Sequence, residues 1–590
     1  MSQRRSIPIT PPTAPSPAWI VSIKQRLSVL RRKEDQLALV LSLVIGATVG
    51  LVVVGFILLT GRLAARMYPA GGAGWRRIAV PVLGSLVTGF LLSRYFPFAR
   101  GSGIPQTKFA LFINDGRITL RTVVGKFVCC SASLASGIAL GREGPSVQIG
   151  AGLASVIGRK LGLSNRQVKS LVPMGCAAAL AAAFNTPIAA VLFSLEEIMG
   201  DLHATVLGTA VLSSATSWMV LHLFLGDNPL FQVAGYKLVH PLEFGIYALL
   251  GVVGGLVSVV FVKSLLWLRA WFMRLPRQTA WLQPAVGGLA VGVMGYFVPE
   301  VLGVGYEYVE RVLNGNVVLQ MAVLLVVLKV IATVACYSSG NAGGIFGPSL
   351  FIGSMTGAAV GSVVHHFLPG YTAGPGAYAL VGMGAVFAGI IRTPFTSVIM
   401  IFELTRDYTI IVPLMIANMT AYFISQRLQK EPIYDALSRQ EGIHLPAGAS
   451  HRQMSSQTVG DAMDSEPLLL DPLMSVQAAL ELAGPTSDEA WPVVDAAGLH
   501  AMIRREDLDA ARLRGAESET LRDLLAGRHS GGDDEFVHVH TDHPLSAALE
   551  RMGSSGQRTL PVVSRANVRQ LLGVVVLDEV IKAYGINNGD

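Results

Sequence analysis

Long apolar segments fill residues 37–426 of this chain, and they limit its fold more than any other feature. The first run, residues 37–59, is long enough to cross a bilayer as a helix and too long for the core of a cleavable secretory signal. Only 14% of the residues are charged, against about 25% in ordinary soluble proteins. The sequence therefore predicts an all-α polytopic membrane protein. Its apolar segments lie at about 37–67, 78–95, 120–140, 145–161, 168–198, 204–225, 243–272, 280–297, 317–336, 345–367, 376–404 and 408–426.

A basic cluster stands directly before the first apolar segment. It contains Arg26, Arg31, Arg32 and Lys33. Positive residues beside a membrane span favour the cytoplasmic side, so we expect residues 1–36 to form a cytoplasmic N-terminal segment. The net charge of +7 gives no indication of a nucleic-acid partner.

The apolar region is duplicated. Glycine, proline, lysine and glutamate recur in the same order in two halves, at about 37–225 and 243–430. Broken membrane helices are found where backbone lines a cavity, and in transporters built from repeats the site lies between the repeats. We therefore expect a site where the two halves meet. The matching pairs are Gly101 and Gly303, Lys126 and Lys329, Gly141 and Gly344, Gly144 and Gly347, Pro145 and Pro348, Gly175 and Gly382, Pro187 and Pro394, and Glu196 and Glu403.

An acidic residue interrupts the apolar sequence at the motif GREGP, residues 141–145. A carboxylate at membrane depth is costly, so Glu143 is a functional candidate. Pro145 suits the first turn of a new helix. The alternative is that Glu143 is an exposed helix-cap acid paired with Arg142.

Three motifs share one physical property: GSGIP at 101–105, GREGP at 141–145 and GIFGP at 344–348. Glycine lets backbone approach a ligand closely, and a helix N-terminus attracts anions without holding them too tightly for permeation. Ser102 adds a hydroxyl donor. The predicted ligand is a small anion, and the pore-motif residues are Gly101, Gly103, Pro105, Gly141, Arg142, Gly144, Pro145, Gly344, Gly347 and Pro348.

The chain becomes polar and charged after about residue 441. Residues 442–457 are a predicted linker, and the remainder repeats itself: AALE recurs at 478–481 and 547–550, and PVV at 492–494 and 561–563. Each copy combines a helical pattern with short apolar strands. We expect a pair of small α/β domains at 458–513 and 520–585.

The membrane part, residues 37–441, resembles the CLC family of chloride channels and chloride/proton exchangers. GSGIP, GREGP, GIFGP, FNTPIAAVLFSLEE and EPIYDAL occur in that order. The resemblance implies a homodimer with one anion pathway in each subunit. It also implies that chloride is coordinated by Ser102, Tyr434 and the amides of Ile345 and Phe346, and that Glu143 is the gating glutamate.

Glu197, the second acid of FSLEEIM, bears on whether the chain is an exchanger or a channel. The resembled exchangers carry an internal proton-transfer glutamate at this position, and many of the channels carry valine. The alternative is an acid at a helix end beside water. Glu196 and Glu403 are expected to be structural, and Lys126 and Lys329 to reach the membrane surface or to pair with carboxylates.

The tail resembles a pair of CBS domains, which in that family can hold an adenine nucleotide. Asp507 fits the ribose-binding position, whereas Arg504 replaces the expected hydroxyl residue, so a purely structural role for the pair fits equally well. His538, His540 and His543 could share a strand face. The four cysteines form no metal-binding pattern, and neither a metal site nor a required cofactor is predicted.

These features together predict a chloride/proton exchanger of the bacterial inner membrane, with its N-terminus and CBS pair in the cytoplasm. The main alternative is a passive chloride channel gated by Glu143. A ligand-sensing tail on a structural membrane domain is a further alternative. An intramembrane hydrolase is disfavoured because the chain lacks the motifs HExxH and GxSxG. The expected partners are chloride, protons, the lipid bilayer and a second copy of the chain.

Overall fold

The computed structural model describes residues 34–69, 71–202, 206–227, 229–233, 235–236, 238–443, 458–484, 490–526 and 536–583. The chain divides into two compact units, Met1–Leu445 and Pro446–Asp590. The basic cluster before the first span, nearly all of the predicted N-terminal segment and linker, and the last residues of the second predicted CBS copy lie outside the described residues.

The first half of the membrane unit is a series of helices. They are α1 (Glu34–Met67), α2 (Arg76–Arg94), α3 (Ile104–Phe112), α4 (Leu120–Ala135), α5 (Glu143–Lys160), α6 (Asn165–Phe184), α7 (Pro187–Phe193) and α8 (Leu207–Leu225). Polar caps begin two of them: Thr119 accepts a hydrogen bond from Thr122 N–H at α4, and Ser164 and Gln167 form a reciprocal capping box at α6. A short π-helical turn, Ser194–Met199, follows α7.

The second half repeats this order. Its helices are α9 (Glu243–Met273), α10 (Gln283–Phe297), α11 (Tyr306–Leu313), α12 (Leu319–Ser338), α13 (Phe346–Phe367), α14 (Pro375–Ile391), α15 (Pro394–Thr405) and α16 (Ile411–Leu428), with α17 (Ile433–Gln440) after them. Helices α1–α8 thus correspond in order to α9–α16, which confirms the predicted repeat. Within the described residues, seven helices (α1, α2, α6, α8, α9, α12 and α13) are long and apolar enough to cross a membrane.

Glycines allow the central helices to pack closely. A Cβ atom on Gly353 of α13 would lie 2.6 Å from the carbonyl oxygen of Gly382 in α14, and one on Gly382 would lie 2.6 Å from the carbonyl oxygen of Gly353. Gly150 and Gly175 make the equivalent contact between α5 and α6. Small residues at helix crossings are what close packing in a bilayer requires, because backbones must approach each other.

The two long predicted segments at 168–198 and 376–404 are each cut in the middle, as their prolines indicated. Asn185 and Arg392 end α6 and α14 in the left-handed conformation, at φ +61° and +68°. Pro187 and Pro394 then start α7 and α15. Proline disfavours helical conformation in the residue before it and lacks the N–H that would continue the helix, so both breaks follow from the sequence.

The soluble unit contains two β-hairpins with flanking helices. The described elements are α18 (Val476–Ala483), β1 (Ala490–Asp495), β2 (Gly498–Arg504), α19 (Arg505–Leu513), α20 (Leu521–Ala526), α21 (Leu545–Ser555), β3 (Thr559–Val563), β4 (Leu571–Val576) and α22 (Leu577–Ala583). Strands β1 and β2 pair antiparallel from Ala490↔Arg504, and β3 and β4 pair from Thr559↔Val576. Both hairpins carry an irregularity at the equivalent step, which confirms the predicted α/β duplication.

The two copies exchange short segments. Val459 N–H donates to His543 O at 2.8 Å, and the Val459 side chain is buried in the core of the second copy. Leu521 N–H donates to Met474 O at 2.9 Å, and the Leu521 side chain lies in the core of the first copy. The segment at the start of each copy therefore packs into the core of the other copy, so the two copies form one interlocked unit.

Candidate anion and proton site

The two halves meet through their glycine motifs. Gly141 N–H donates to Gly344 O, and Gly344 N–H donates to Gly141 O, both at 2.7 Å. A Cβ atom on Gly144 would lie 2.6 Å from Ser102 O, and one on Gly103 would lie 2.6 Å from Gly144 O. Gly103 also has φ +101°, where other residues would be strained. All three predicted motifs therefore come together, and any side chain at these glycines would separate them.

Helix N-termini begin at this junction. The first helical hydrogen bonds of α5 and α13 run from Ser146 N–H to Arg142 O and from Ser349 N–H to Ile345 O, both at 3.0 Å. The Ile345 and Phe346 amides precede the first intrahelical donor of α13, at the positive end of the helix dipole. Pro105, Pro145 and Pro348 lie in the first turns of α3, α5 and α13.

Packing fixes the position of Phe346. Its ring centroid lies 5.0 Å from that of Phe184, 5.3 Å from that of Phe193 and 4.4 Å from that of Phe387. Aromatic contacts of this kind stabilise a ring by about 0.5–1.5 kcal/mol each beyond its burial. The backbone amide beside that ring is therefore held in place before any ligand arrives.

Two buried hydroxyls add donors to the amides. Ser102 and Tyr434 are both 0% exposed, and neither Ser102 Oγ nor Tyr434 Oη has a hydrogen-bond partner among the described residues. The Tyr337 phenol faces Ser102, but that contact falls short of hydrogen-bond geometry. A buried polar atom without a partner costs about 1–3 kcal/mol, which a bound anion would recover by accepting from both hydroxyls.

Glu143 is buried and its carboxylate is turned toward α13. The Tyr306 phenol donates to Oε1, while Oε2 has no hydrogen-bond partner within the described residues. Oε2 lies 3.3 Å from the position that a Cβ atom on Gly347 would take. The carboxyl group of Glu143 therefore stands at the start of the helix whose N-terminus would attract an anion.

Arg142 does not neutralise this carboxylate. Arg142 Nη2 donates to Ala183 O at 3.4 Å, and its guanidinium carbon lies 5.7 Å from the centroid of the Tyr306 ring. Glu143 is 0% exposed. The alternative interpretation, an exposed cap acid paired with Arg142, is therefore wrong.

Glu197 lies in the π-helical turn after α7 and is ion-paired. Its Oε1 lies 3.0 Å from Lys108 Nζ, which also lies 2.7 Å from Asp435 Oδ1. The Glu197 side chain is 7% exposed and stands in the turn that ends this helical segment, so the helix-end position of the alternative is correct, while its contact with water is small. Sequence reasoning missed both partners. The available signals were a lysine three residues after Pro105 and an aspartate directly after Tyr434.

The expectation for the two buried lysines is wrong. Lys126 Nζ donates to the Gly101 carbonyl at 2.7 Å, and Lys329 Nζ donates to the Gly303 carbonyl at 2.6 Å. Both side chains are 0% exposed, so neither reaches the surface. Each ammonium instead satisfies carbonyls of the broken loop in its own half, because those carbonyls have no helical partner.

Glu196 and Glu403 cap helices of the opposite half. Glu196 Oε2 accepts from Thr396 N–H at 2.9 Å, at the start of α15. Glu403 Oε2 accepts from Ala189 N–H at 2.7 Å, at the start of α7. Each carboxylate thus stabilises a helix N-terminus across the repeat, in agreement with the structural role expected for both.

One cavity of the soluble unit lies beside the position predicted for an adenine nucleotide. Asp507 Oδ2 accepts from Arg504 N–H at 3.2 Å and so caps α19. The nearby cavity, lined by Arg504, Arg505, Arg558 and Thr559, has a volume of about 120 Å³. Ligand pockets usually measure about 300–1,000 Å³, so this one must widen before it accepts a nucleotide.

The rings of the three tail histidines contact one another edge to face. The ring centroids of His538 and His540 are 5.2 Å apart, and those of His540 and His543 are 4.9 Å apart. Burial and the nearby Arg551 hold the pKa of His543 below its usual value. The described residues contain no group of three or more metal-ligand side chains placed to hold an ion.

Comparison with known proteins follows the division of the chain. Residues 84–426 match the family model described as voltage gated chloride channel, and residues 533–586 match the CBS domain model. A putative chloride channel protein ClcB-like from Ralstonia nicotianae is 33% identical over 383 residues, which are 64% of this chain and 89% of that protein. The H(+)/Cl(-) exchange transporter ClcA of Vibrio campbellii is 32% identical over 354 residues, which are 59% of this chain and 76% of the transporter.

Solved structures show the same architecture. A slow cyanobacterial Cl⁻/H⁺ antiporter aligns with a TM-score of 0.64 and 25% identity, over 68% of this chain and 97% of the antiporter. A eukaryotic CLC transporter aligns with a TM-score of 0.59 and 20% identity, over 92% of this chain and 97% of the transporter. The second likeness concerns the fold alone, and it extends into the soluble unit.

Proposed function

This chain belongs to the voltage gated chloride channel (CLC) family, and on that premise we propose that it exchanges chloride for protons across a membrane. The observation that carries the proposal is the position of Glu143. Its carboxylate lies close to Gly347, in the first turn of α13, and the Ile345 and Phe346 amides that would bind chloride belong to the same helix terminus. An exchanger needs one place where an anion and an ionised acid exclude each other.

Because chloride and an ionised Glu143 exclude each other, chloride movement is coupled to proton movement. An ionised Glu143 occupies the helix terminus and competes with chloride there. A protonated Glu143 loses its charge, leaves that position, and admits the anion. Proton uptake and chloride occupancy are then linked, because each changes the free energy of the other.

Glu197 supplies the second proton-transfer group. It lies on a different element from Glu143 and is buried beside Lys108. With a second titratable carboxyl, protons can leave Glu143 along a route of their own, through Glu197, and reach the other side of the membrane without following the anion. This feature favours an exchanger over a passive chloride channel, which needs only Glu143 as a gate.

The assembly and its placement follow the family. The active form is a homodimer with one anion pathway in each subunit, in the bacterial inner membrane. The N-terminus and the CBS pair lie in the cytoplasm, where the pair regulates transport.

Serine at position 102 goes with chloride preference in this family. Nucleotide control of the pair requires the cavity beside Arg504 and Arg558 to widen.

Proton uptake driven by chloride tests the proposal. Purified protein is reconstituted into liposomes loaded with high chloride, and the external pH is recorded after dilution into low chloride. Exchange predicts uphill proton uptake, which stops when a protonophore is added. Chloride efflux with no proton movement would contradict the proposal.

The hydroxyl of Tyr434 is expected to contribute directly to chloride affinity. Hydrogen bonds to a charged partner are worth about 1.5–3 kcal/mol, so Tyr434→Phe should weaken chloride binding by about tenfold or more. Isothermal titration calorimetry in detergent measures this change. Tyr378→Phe is the matched control, because that buried phenol donates to Glu243 at 3.0 Å. An unchanged affinity in Tyr434→Phe would exclude this phenol from the anion site.

Tyr306 is expected to hold Glu143 in the anion position, since its phenol donates to Glu143 Oε1. Tyr306→Phe removes this donor, so the ionised carboxylate competes less well and chloride binds up to about tenfold more tightly at neutral pH. The same substitution in a Glu143→Gln background should change the affinity little, which a double-mutant cycle will reveal. Weaker chloride binding in Tyr306→Phe would contradict the assignment.

A further inference from the structure

Lys108 links three elements of the membrane unit: α3, the π-helical turn that carries Glu197, and α17. It lies on α3, the helix that follows Ser102. Its ammonium pairs with Glu197 at 3.0 Å and with Asp435 at 2.7 Å, and Asp435 follows Tyr434 on α17. The Lys108 side chain is 11% exposed, so solvent screens these pairs only weakly. One cation therefore connects the proton site to both hydroxyl-bearing segments of the anion site.

The charge of this cluster depends on a single proton. With Glu197 ionised, two carboxylates face one ammonium and the net charge is negative. With Glu197 protonated, Lys108 and Asp435 form a neutral pair. The other groups that face Glu197 are Glu196, which is engaged in capping α15, and the Tyr434 phenol.

Helix packing can transmit this change. Helices α3 and α17 pack against each other, with Lys108 and Asp435 bridging them. When Glu197 is ionised, Lys108 is shared between Glu197 and Asp435, as the structure shows. When Glu197 is neutral, Lys108 interacts with Asp435 alone, which draws together the segments that carry Ser102 and Tyr434. A buried ion pair changes energy strongly when one member loses its charge.

We infer that Lys108 is a positioning residue that couples protonation of Glu197 to chloride binding at Ser102 and Tyr434. This inference rests on the proposed function, because it assumes that Glu197 titrates and that those two hydroxyls bind chloride. Protonation of Glu197 removes a negative charge near the anion and favours the compact arrangement of its two donors. Proton binding and chloride binding then strengthen each other, a linkage separate from the competition at Glu143.

The test measures how chloride affinity changes with pH when Glu143 cannot titrate. Chloride binding is followed by isothermal titration calorimetry at several pH values in full-length Glu143→Gln protein. Three further proteins carry Lys108→Met, Lys108→Arg or Glu197→Gln in the same background. In Glu143→Gln, affinity should rise at least about fivefold as the pH falls, the lower range of measured couplings. Glu197→Gln should lose this rise. Lys108→Met should lose most of it, because only the direct charge effect of Glu197 then remains, and Lys108→Arg should keep most of it.

Each outcome decides the inference. An equal pH dependence in the Glu143→Gln protein with and without Lys108→Met would overturn it, as would a flat profile in Glu143→Gln itself. If Lys108→Met does not fold, Asp435→Asn replaces it, since removal of that partner should also reduce the pH dependence. Chloride binding requires no transport. If the pH dependence of chloride affinity contradicts the inference while proton/chloride exchange in liposomes is intact, the role of Lys108 alone is refuted. If the liposomes show no proton exchange, the proposed function is refuted.

Discussion

Glu143→Gln is expected to abolish proton transport while chloride flux continues. Glutamine keeps the size and shape of the side chain and removes its charge, so the helix terminus at α13 no longer has an internal competitor. Chloride movement should stay within about tenfold of the wild-type rate, equivalent to about 1.4 kcal/mol in the barrier, because the anion loses no donor. Proton movement should fall below detection, because no group at the anion position can then carry a proton.

The measurement is simultaneous recording of chloride and proton flux in liposomes. Glu307→Gln is a suitable control: this acid directly follows Tyr306 in sequence but is exposed, and its loss should leave coupling intact. Uphill proton transport that persists in Glu143→Gln would show that another group performs the exchange. A complete loss of chloride flux would show that Glu143 is required for binding rather than for gating.

Glu197→Gln is expected to lose proton transport by a different route. Chloride flux should remain, because Glu197 lies beside Lys108 and Asp435 rather than at the helix termini. The competition at Glu143 also remains, so chloride transport should still depend on external pH. This last property separates the two variants, since Glu143→Gln removes that competition and keeps only the pH dependence that acts through Glu197.

The neighbouring Glu196 provides the control for this second variant. Its carboxylate accepts hydrogen bonds from both the backbone and the hydroxyl of Thr396. Glu196→Gln should therefore lower the thermal stability of the protein in detergent while the ratio of proton flux to chloride flux stays unchanged. Full proton coupling in Glu197→Gln would remove Glu197 from the proposed proton path.

Much of the membrane unit could be predicted because the signals are local or repeated. Breaks at Pro187 and Pro394 follow from the chemistry of proline. The convergence of the motifs around Gly141 and Gly344 follows from the repeat, which indicates a site between the halves. Position 143 was identified because an acid in an apolar run is rare.

The contacts of the charged residues could not be predicted in the same way. Lys108 and Asp435 are 327 positions apart, and their contact depends on how α3 and α17 pack. For Lys126 and Lys329, the sequence could not tell whether a carboxylate or a free backbone carbonyl lies within reach. In the tail, the exchange of segments around Val459 and Leu521 depends on short strands and turns that carry no distinctive pattern of their own.

The most direct test of chloride/proton exchange is the reversal potential of the reconstituted wild-type protein with equal chloride on both sides and a tenfold proton gradient. A passive chloride pathway gives a reversal potential of zero under these conditions, because chloride alone sets it. An exchanger gives a potential displaced from zero that changes sign when the proton gradient is inverted. A displaced value that returns to zero in Glu143→Gln is the expected result, and a wild-type value of zero would contradict it.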